Sequence, residues 1–127
     1  LVLRYRPYAW HHPLGPQMAA NVTALMRAVV TNGTASGVGF LPQDEVAAKT
    51  GTAQTSLTSV NLHTDDWMIA FAPASRPVVA VAVVVPNQSN FDWGATVAGP
   101  IVKCVIEGAL ALDAKQPPAG TPTTCPR

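Results

Sequence analysis

The sequence predicts an α+β fold: an antiparallel sheet flanked by helices, in the order helix, strand, strand, strand, helix. Three observations carry this. Apolar stripes at helical spacing lie on either side of the middle of the chain. Between them sit apolar runs that are alternating or rich in β-branched residues. The loops joining those runs are too short for a parallel crossover, which needs a dozen or more residues, so neighbouring strands run antiparallel. So few strands and helices leave one sheet face and one sheet edge uncovered.

Residues 1–15, "LVLRYRPYAWHHPLG", are punctuated by proline and read as an extended lead-in. From Pro16 the pattern changes. Met18, Val22, Leu25, Met26 and Val29 recur at i, i+4, i+7, i+8 and i+11, which gives a helix one apolar face. Pro16 suits its first turn and "TNG" at 31–33 ends it. "GTASGVGFLPQDE" is a glycine-rich loop closed by proline and acids. "VAAKT" at 46–50 is the first strand, followed by a polar loop from Gln54 to Thr64. "DWMIAFA" at 66–72 alternates as a strand does, and "PASRP" turns the chain. "VVAVAVVV" at 78–85 is continuously apolar and predicts a strand covered on both faces. A second helix spans 95–112, with Val97, Ile101, Val105 and Ala109 on one stripe and Val102 and Ile106 beside it. Pro100 should start or kink that helix. The closing "DAKQPPAGTPTTCPR" has the composition of a disordered tail.

Composition narrows the function. The net charge of +1 gives no electrostatic footprint for nucleic acid. Charged residues are 12% of the chain, against a usual share of roughly 25%. Another segment is therefore expected to cover part of this surface. A chain of 127 residues opening on Leu1 is expected to be a fragment or a processed product. The apolar run 78–85 is far shorter than the roughly 20 residues of a helical membrane span. No signal-peptide pattern opens the chain, so any targeting element is expected outside it. Cys104 and Cys125 lack metal-ligand spacing, which leaves a disulfide and two free thiols both open.

The chemistry gathers at "VAAKTGTAQ", residues 46–54, where a lysine at the end of an apolar run meets Thr50, Gly51 and Thr52. A cation followed by hydroxyls and a bare glycine suits a surface that holds a carboxylate. "KTGTAQ" followed by "DWMIAFAP", "VAVAVVVP" and an apolar C-terminal helix resembles the end of the transpeptidase domain of class B penicillin-binding proteins, in particular the penicillin-binding protein A type of actinobacteria. "PQMAANVTALMRAVV" is similar to that family's helix ahead of the Lys-Thr-Gly strand. The resemblance covers about Pro16 to Leu112.

The resemblance implies a β-lactamase/transpeptidase-like fold, of which residues 1–112 are the C-terminal portion and 113–127 a Pro/Thr-rich tail. It implies acyl transfer: a serine attacks the D-Ala-D-Ala carbonyl of a peptidoglycan stem peptide, and β-lactams trap the same serine. Lys49, Thr50, Gly51, Thr52 and Gln54 are then the substrate-binding candidates. The Thr52 backbone N–H has the catalytic role of an oxyanion donor. The implied partners are stem peptides, β-lactams and the remainder of the domain, with no cofactor or metal. The implied location is the extracytoplasmic face of the cell membrane, anchored by an N-terminal segment outside this sequence. That compartment is oxidising enough for a Cys104–Cys125 disulfide.

The chain departs from the family at one point. It has no S-x-x-K, so nucleophile and base lie elsewhere, and alone it is inert. Ser59-Val60-Asn61 spells S-x-N but follows Lys-Thr-Gly rather than preceding it, and is taken as coincidental. A serine β-lactamase, a D,D-carboxypeptidase and a non-catalytic module on the same fold are the alternatives. Trp67 and Phe71 are expected in the core, and His63, Asp65 and Asp66 as loop polar groups. Phe91 and Trp93 either border the cleft or pack.

Overall fold

The computed structural model describes residues 11, 13–55, 63–88, 92–114 and 125. Helix α1 runs Pro16–Thr31 with proline in its first turn, and the Asn32 N–H closes it on Ala28 O at 2.9 Å. Two 3₁₀ turns, Ser36–Val38 and Pro42–Asp44, lead to strand β1, Ala47–Gln54. Strands β2, Thr64–Ala72, and β3, Val79–Gln88, follow. The order β1-β2-β3 is antiparallel throughout, with Ala48 opposite Ala70 and Ile69 opposite Ala82. The short helix α2, Gly94–Val97, precedes α3, Gly99–Asp113.

The first strand is longer than its sequence suggests. Thr52, Ala53 and Gln54 pair with Asp66, Asp65 and Thr64, so Lys-Thr-Gly sits mid-strand rather than at a strand end. The second helix divides at Ala98, as Pro100 requires. Pro100 has no N–H to bond the carbonyl of Thr96, and its ring would clash there, so a new helix begins with proline in its first turn.

The core lies on one sheet face. Val46, Ala48, Met68, Ala70 and Ala72 pack there against Ala98, Val102 and Ile106, with Ala35 closing one end. Ala48, Ala70, Ala72 and Ala98 in that set let helix and sheet approach closely. The buried stripe of α3 is therefore Ala98–Val102–Ile106, one residue round from the predicted Val97–Ile101–Val105; Val105 is exposed. The helix is apolar on so many sides that periodicity alone did not fix which face turns inward.

The other sheet face meets α1 on its β1 side, where Ala47 is fully buried and Met26 borders a hollow with Ile69 and Phe71, and is open over β3. Along β3, Val79, Val81, Val83 and Val85 are half-buried toward α3, while Ala80, Ala82 and Val84 are exposed. The expectation of a strand covered on both faces is thus corrected, and that of an uncovered sheet face holds over β3 but not over the β1 side, which α1 meets. Trp67 and Ile69 emerge on the same open face, and Phe71 is only half-buried, so none of the three is a core residue. Helix α1 has no buried residue, and Met18, Val22 and Leu25 are exposed while Val29 and Val30 reach the core.

Cys104 and Cys125 form a disulfide across Cα atoms 5.4 Å apart. The peptide bond Ala72–Pro73 is cis. Among the described residues no helix is long and apolar enough to cross a membrane. Ser59 and Asn61 lie outside the described residues.

Candidate active site

The site is built on the free edge of β1. Thr55 N–H donates to His63 O at 2.9 Å, which makes this a hydrogen-bonded pair of the β1–β2 ladder. Bonded and non-bonded pairs alternate in an antiparallel ladder, so residues 53, 51 and 49 turn their backbone groups toward β2. Thr50, Thr52 and Gln54 then turn theirs outward, where no described strand pairs with them. The Thr50 carbonyl shows that phase directly: it accepts the Lys49 ammonium at 2.7 Å. Lys49 leaves on the Ile69 face and bends round the edge to reach it.

Side chains alternate as well. Gly51 lies opposite Trp67, and a methyl group there would collide with the indole ring. Thr50 and Thr52 face the α3 side. The Thr50 hydroxyl is 2.7 Å from that of Thr34, on the turn after α1, and the Thr52 hydroxyl accepts the Gly94 N–H at 3.3 Å. The edge strand is thereby tied to both flanking segments.

Between those segments opens a cavity of about 540 Å³ lined by Thr34, Lys49, Thr50, Gly51, Thr52 and residues 93–95. That volume lies within the range of small-ligand sites, roughly 300–1,000 Å³. Lys49 is the charged member of the lining. Gln54 lines a separate adjoining hollow of about 260 Å³ with Thr52, Thr64, Asp92 and Trp93. Four of the five predicted site residues therefore share one cavity, and Gln54 borders it through Thr52. Trp93, left between cleft and packing by the sequence, is 69% exposed and lines both hollows. Thr34 escaped the sequence reading altogether, since nothing in "TNGTAS" signals a contact sixteen residues away.

The penicillin binding protein transpeptidase domain family matches residues 8–107. The chain belongs to that family. Among relatives of this transpeptidase family, the chain is 40% identical over 105 residues to peptidoglycan D,D-transpeptidase PbpA of Mycobacterium tuberculosis, covering 81% of this chain and 21% of that protein. It is 37% identical over 98 residues to the probable peptidoglycan D,D-transpeptidase PenA of Neisseria flavescens, covering 74% and 24%. Its structure is similar to penicillin-binding protein A from M. tuberculosis in a ceftriaxone acyl-enzyme complex, with TM-score 0.72, 39% identity, and coverage of 81% of this chain and 23% of that one. The transpeptidase domain of Burkholderia pseudomallei penicillin-binding protein 3 superposes with TM-score 0.62 at 26% identity, covering 84% and 33%. The chain thus spans about a fifth of the length of the first relatives.

Among the described residues, no acidic one lines the cavity of this transpeptidase-family chain. His63, Asp65 and Asp66 are not three loop residues: Asp65 and Asp66 belong to β2, and Asp66 is fully buried. Asp65 accepts the Asn87 N–H at 3.0 Å. Burial raises the Asp44 carboxyl above its ordinary range, with Lys103 opposing. Burial likewise raises Glu107, opposed by Lys103 and reinforced by Asp44. A hydrogen bond from Ser75 lowers Glu45. No group of three or more His, Cys, Asp or Glu gathers at metal distance among the described residues.

Proposed function

We propose that this chain supplies the carboxylate-binding and oxyanion-side wall of a serine D,D-transpeptidase that cross-links peptidoglycan stem peptides and is acylated by β-lactams. The observation that carries it is the free β1 edge, with Lys49, Thr50 and Thr52 around one cavity. An extended stem peptide would lie along that edge as an added strand. Its terminal carboxylate would meet the Lys49 ammonium and the two hydroxyls. The outward Thr52 N–H is oriented to receive developing charge on the scissile carbonyl oxygen, and such a donor contributes about 10²–10³ in rate. The nucleophilic serine and its lysine come from another part of the protein, since the chain holds no S-x-x-K. The serine hydroxyl adds to the carbonyl and D-alanine leaves, after which an amine of a second stem peptide takes the acyl group.

The ceftriaxone acyl-enzyme of the M. tuberculosis protein supports the β-lactam part of this reading. The remainder of the same domain is the proposed cover for the open sheet face. The reaction is proposed to run at the extracytoplasmic face of the cell membrane, where stem peptides are cross-linked, with anchoring by a segment N-terminal to this chain.

The test is Lys49→Ala in the full protein that carries this chain. Losing a charge-assisted contact in a desolvated cleft costs about 2–5 kcal/mol, whereas an exposed edge charge changes stability within about 0.5 kcal/mol. Acylation by labelled penicillin should therefore slow strongly while the melting temperature barely moves. Wild-type acylation by the variant, or loss only in step with stability, would reduce Lys49 to a solvated edge charge.

A further inference from the structure

We propose that Thr34 is a positioning residue for the carboxylate site: its hydroxyl donates to Thr50 and so aims the Thr50 proton into the cavity. This rests on the acyl-transfer reading above and adds a residue that it did not need.

The Thr34 hydroxyl is held in place by its neighbours. Ala35 is fully buried, and its N–H donates to Val29 O at 3.1 Å. Ser36 N–H donates to Gly33 O at 3.1 Å. Gly33 packs so tightly that a methyl group there would lie 2.8 Å from the Val29 Cα. The turn is thus fixed on both sides of Thr34, against the end of α1, and its side chain meets Thr50 at 2.7 Å.

A hydroxyl has one proton and two lone pairs, so the pair can be ordered in two ways. If Thr50 donates to Thr34, it presents only lone pairs to the cavity and repels an anion. If Thr34 donates to Thr50, the Thr50 proton is left for the cavity. An ionised carboxylate only accepts, so it selects the second order. Thr52 already receives the Gly94 N–H, which leaves its own proton available too. Lys49 spends one of its three protons on Thr50 O. The Thr34 contact therefore completes a set of three donors facing one anion, and the hydrogen-bond chain polarises its terminal donor.

The experiment uses the full protein with Thr34→Val, Thr34→Ala and Thr34→Ser. The ligands are a penicillin and its methyl ester, which keeps the ring and lacks the anion. Pre-acylation binding and the acylation step are measured separately, with melting temperatures alongside. The loss of one useful hydrogen bond corresponds to about tenfold in affinity. Thr34→Val and Thr34→Ala should weaken pre-acylation binding of the acid by that factor and leave the ester unaffected. Thr34→Ser should restore most of the binding. Equal losses for acid and ester would mean a general disturbance of the wall and overturn the proposal, as would unchanged binding of the acid. A wild-type protein that acylates normally but ignores Thr34 removes this inference alone. A wild-type protein that never acylates removes the acyl-transfer reading and this one with it.

Discussion

At Thr50 one hydroxyl stands between Thr34 and the cavity, whereas at Lys49 a full charge does. The two substitutions are expected to rank accordingly. Thr50→Val keeps the side-chain shape and removes one donor, while Lys49 and Thr52 still hold the carboxylate. Its second-order acylation rate should fall by less than that of Lys49→Ala. A Thr50→Val protein slower than Lys49→Ala would show that the hydroxyl, not the charge, dominates binding. Gly51 is constrained differently. A methyl group there meets the Trp67 ring, but that ring is 39% exposed and can swing aside.

Helix α2 reaches the sheet through Gly94. A Cβ at Gly94 would lie 2.5 Å from the carbonyl oxygens of both Gly51 and Trp67. These are backbone atoms within the ladder and cannot turn away, so Gly94→Ala should cost more than Gly51→Ala, in the range of about 1–3 kcal/mol for overpacking. It should also slow acylation, because the Gly94 N–H to Thr52 contact goes with it. Denaturant midpoints of the two variants give the comparison; equal midpoints would mean that the helix simply slides.

Helix α3, with the turn at Asp44, carries a pH dependence. Glu107 and Asp44 are buried, and burial raises both carboxyls, so the folded chain holds their protons more tightly than the unfolded one. Their contribution to stability is then greatest below the ordinary carboxylate range and falls as pH climbs through the raised values. Lys103, 3.7 Å from Glu107, limits that loss. Glu107→Gln should gain melting temperature relative to wild type at pH 8 and gain little or nothing at pH 4. A pH-independent difference would show that folding leaves the proton affinity of Glu107 unchanged.

For the molecule as a whole, the disulfide fastens Cys125 to α3 across 21 positions of sequence. Closing a loop of about that size stabilises a chain by roughly 3 kcal/mol, chiefly by restricting the unfolded state. Cys125→Ser should lose stability of that order, and the non-reduced folded protein should show no titratable thiol; two thiols would remove the bridge. The 127-residue chain by itself, incubated with labelled penicillin, should give no covalent adduct by mass, because none of its serines has a lysine three residues on. An adduct would relocate the nucleophile to this chain.

The element order, the antiparallel sense of the strands and the nature of the Lys-Thr-Gly wall were legible along the chain. Each follows from local pattern: helical spacing from Met18 to Val29, loops too short to cross over, and a cation beside two hydroxyls and a glycine. Packing between distant segments settled the rest. It chose Ala98–Val102–Ile106 as the inner stripe of α3, a choice that an almost wholly apolar helix leaves open in sequence. It left β3 and Trp67 open on one face, because composition says that a strand is apolar but not what lies above it. Pairing with β2 carried β1 on to Gln54 and set the ladder phase, so that the backbone groups of Thr50 and Thr52 turn outward. The Thr34–Thr50 contact joins residues sixteen apart and exists only once α1 and the turn after it are packed, which is why no reading of either segment alone contains it.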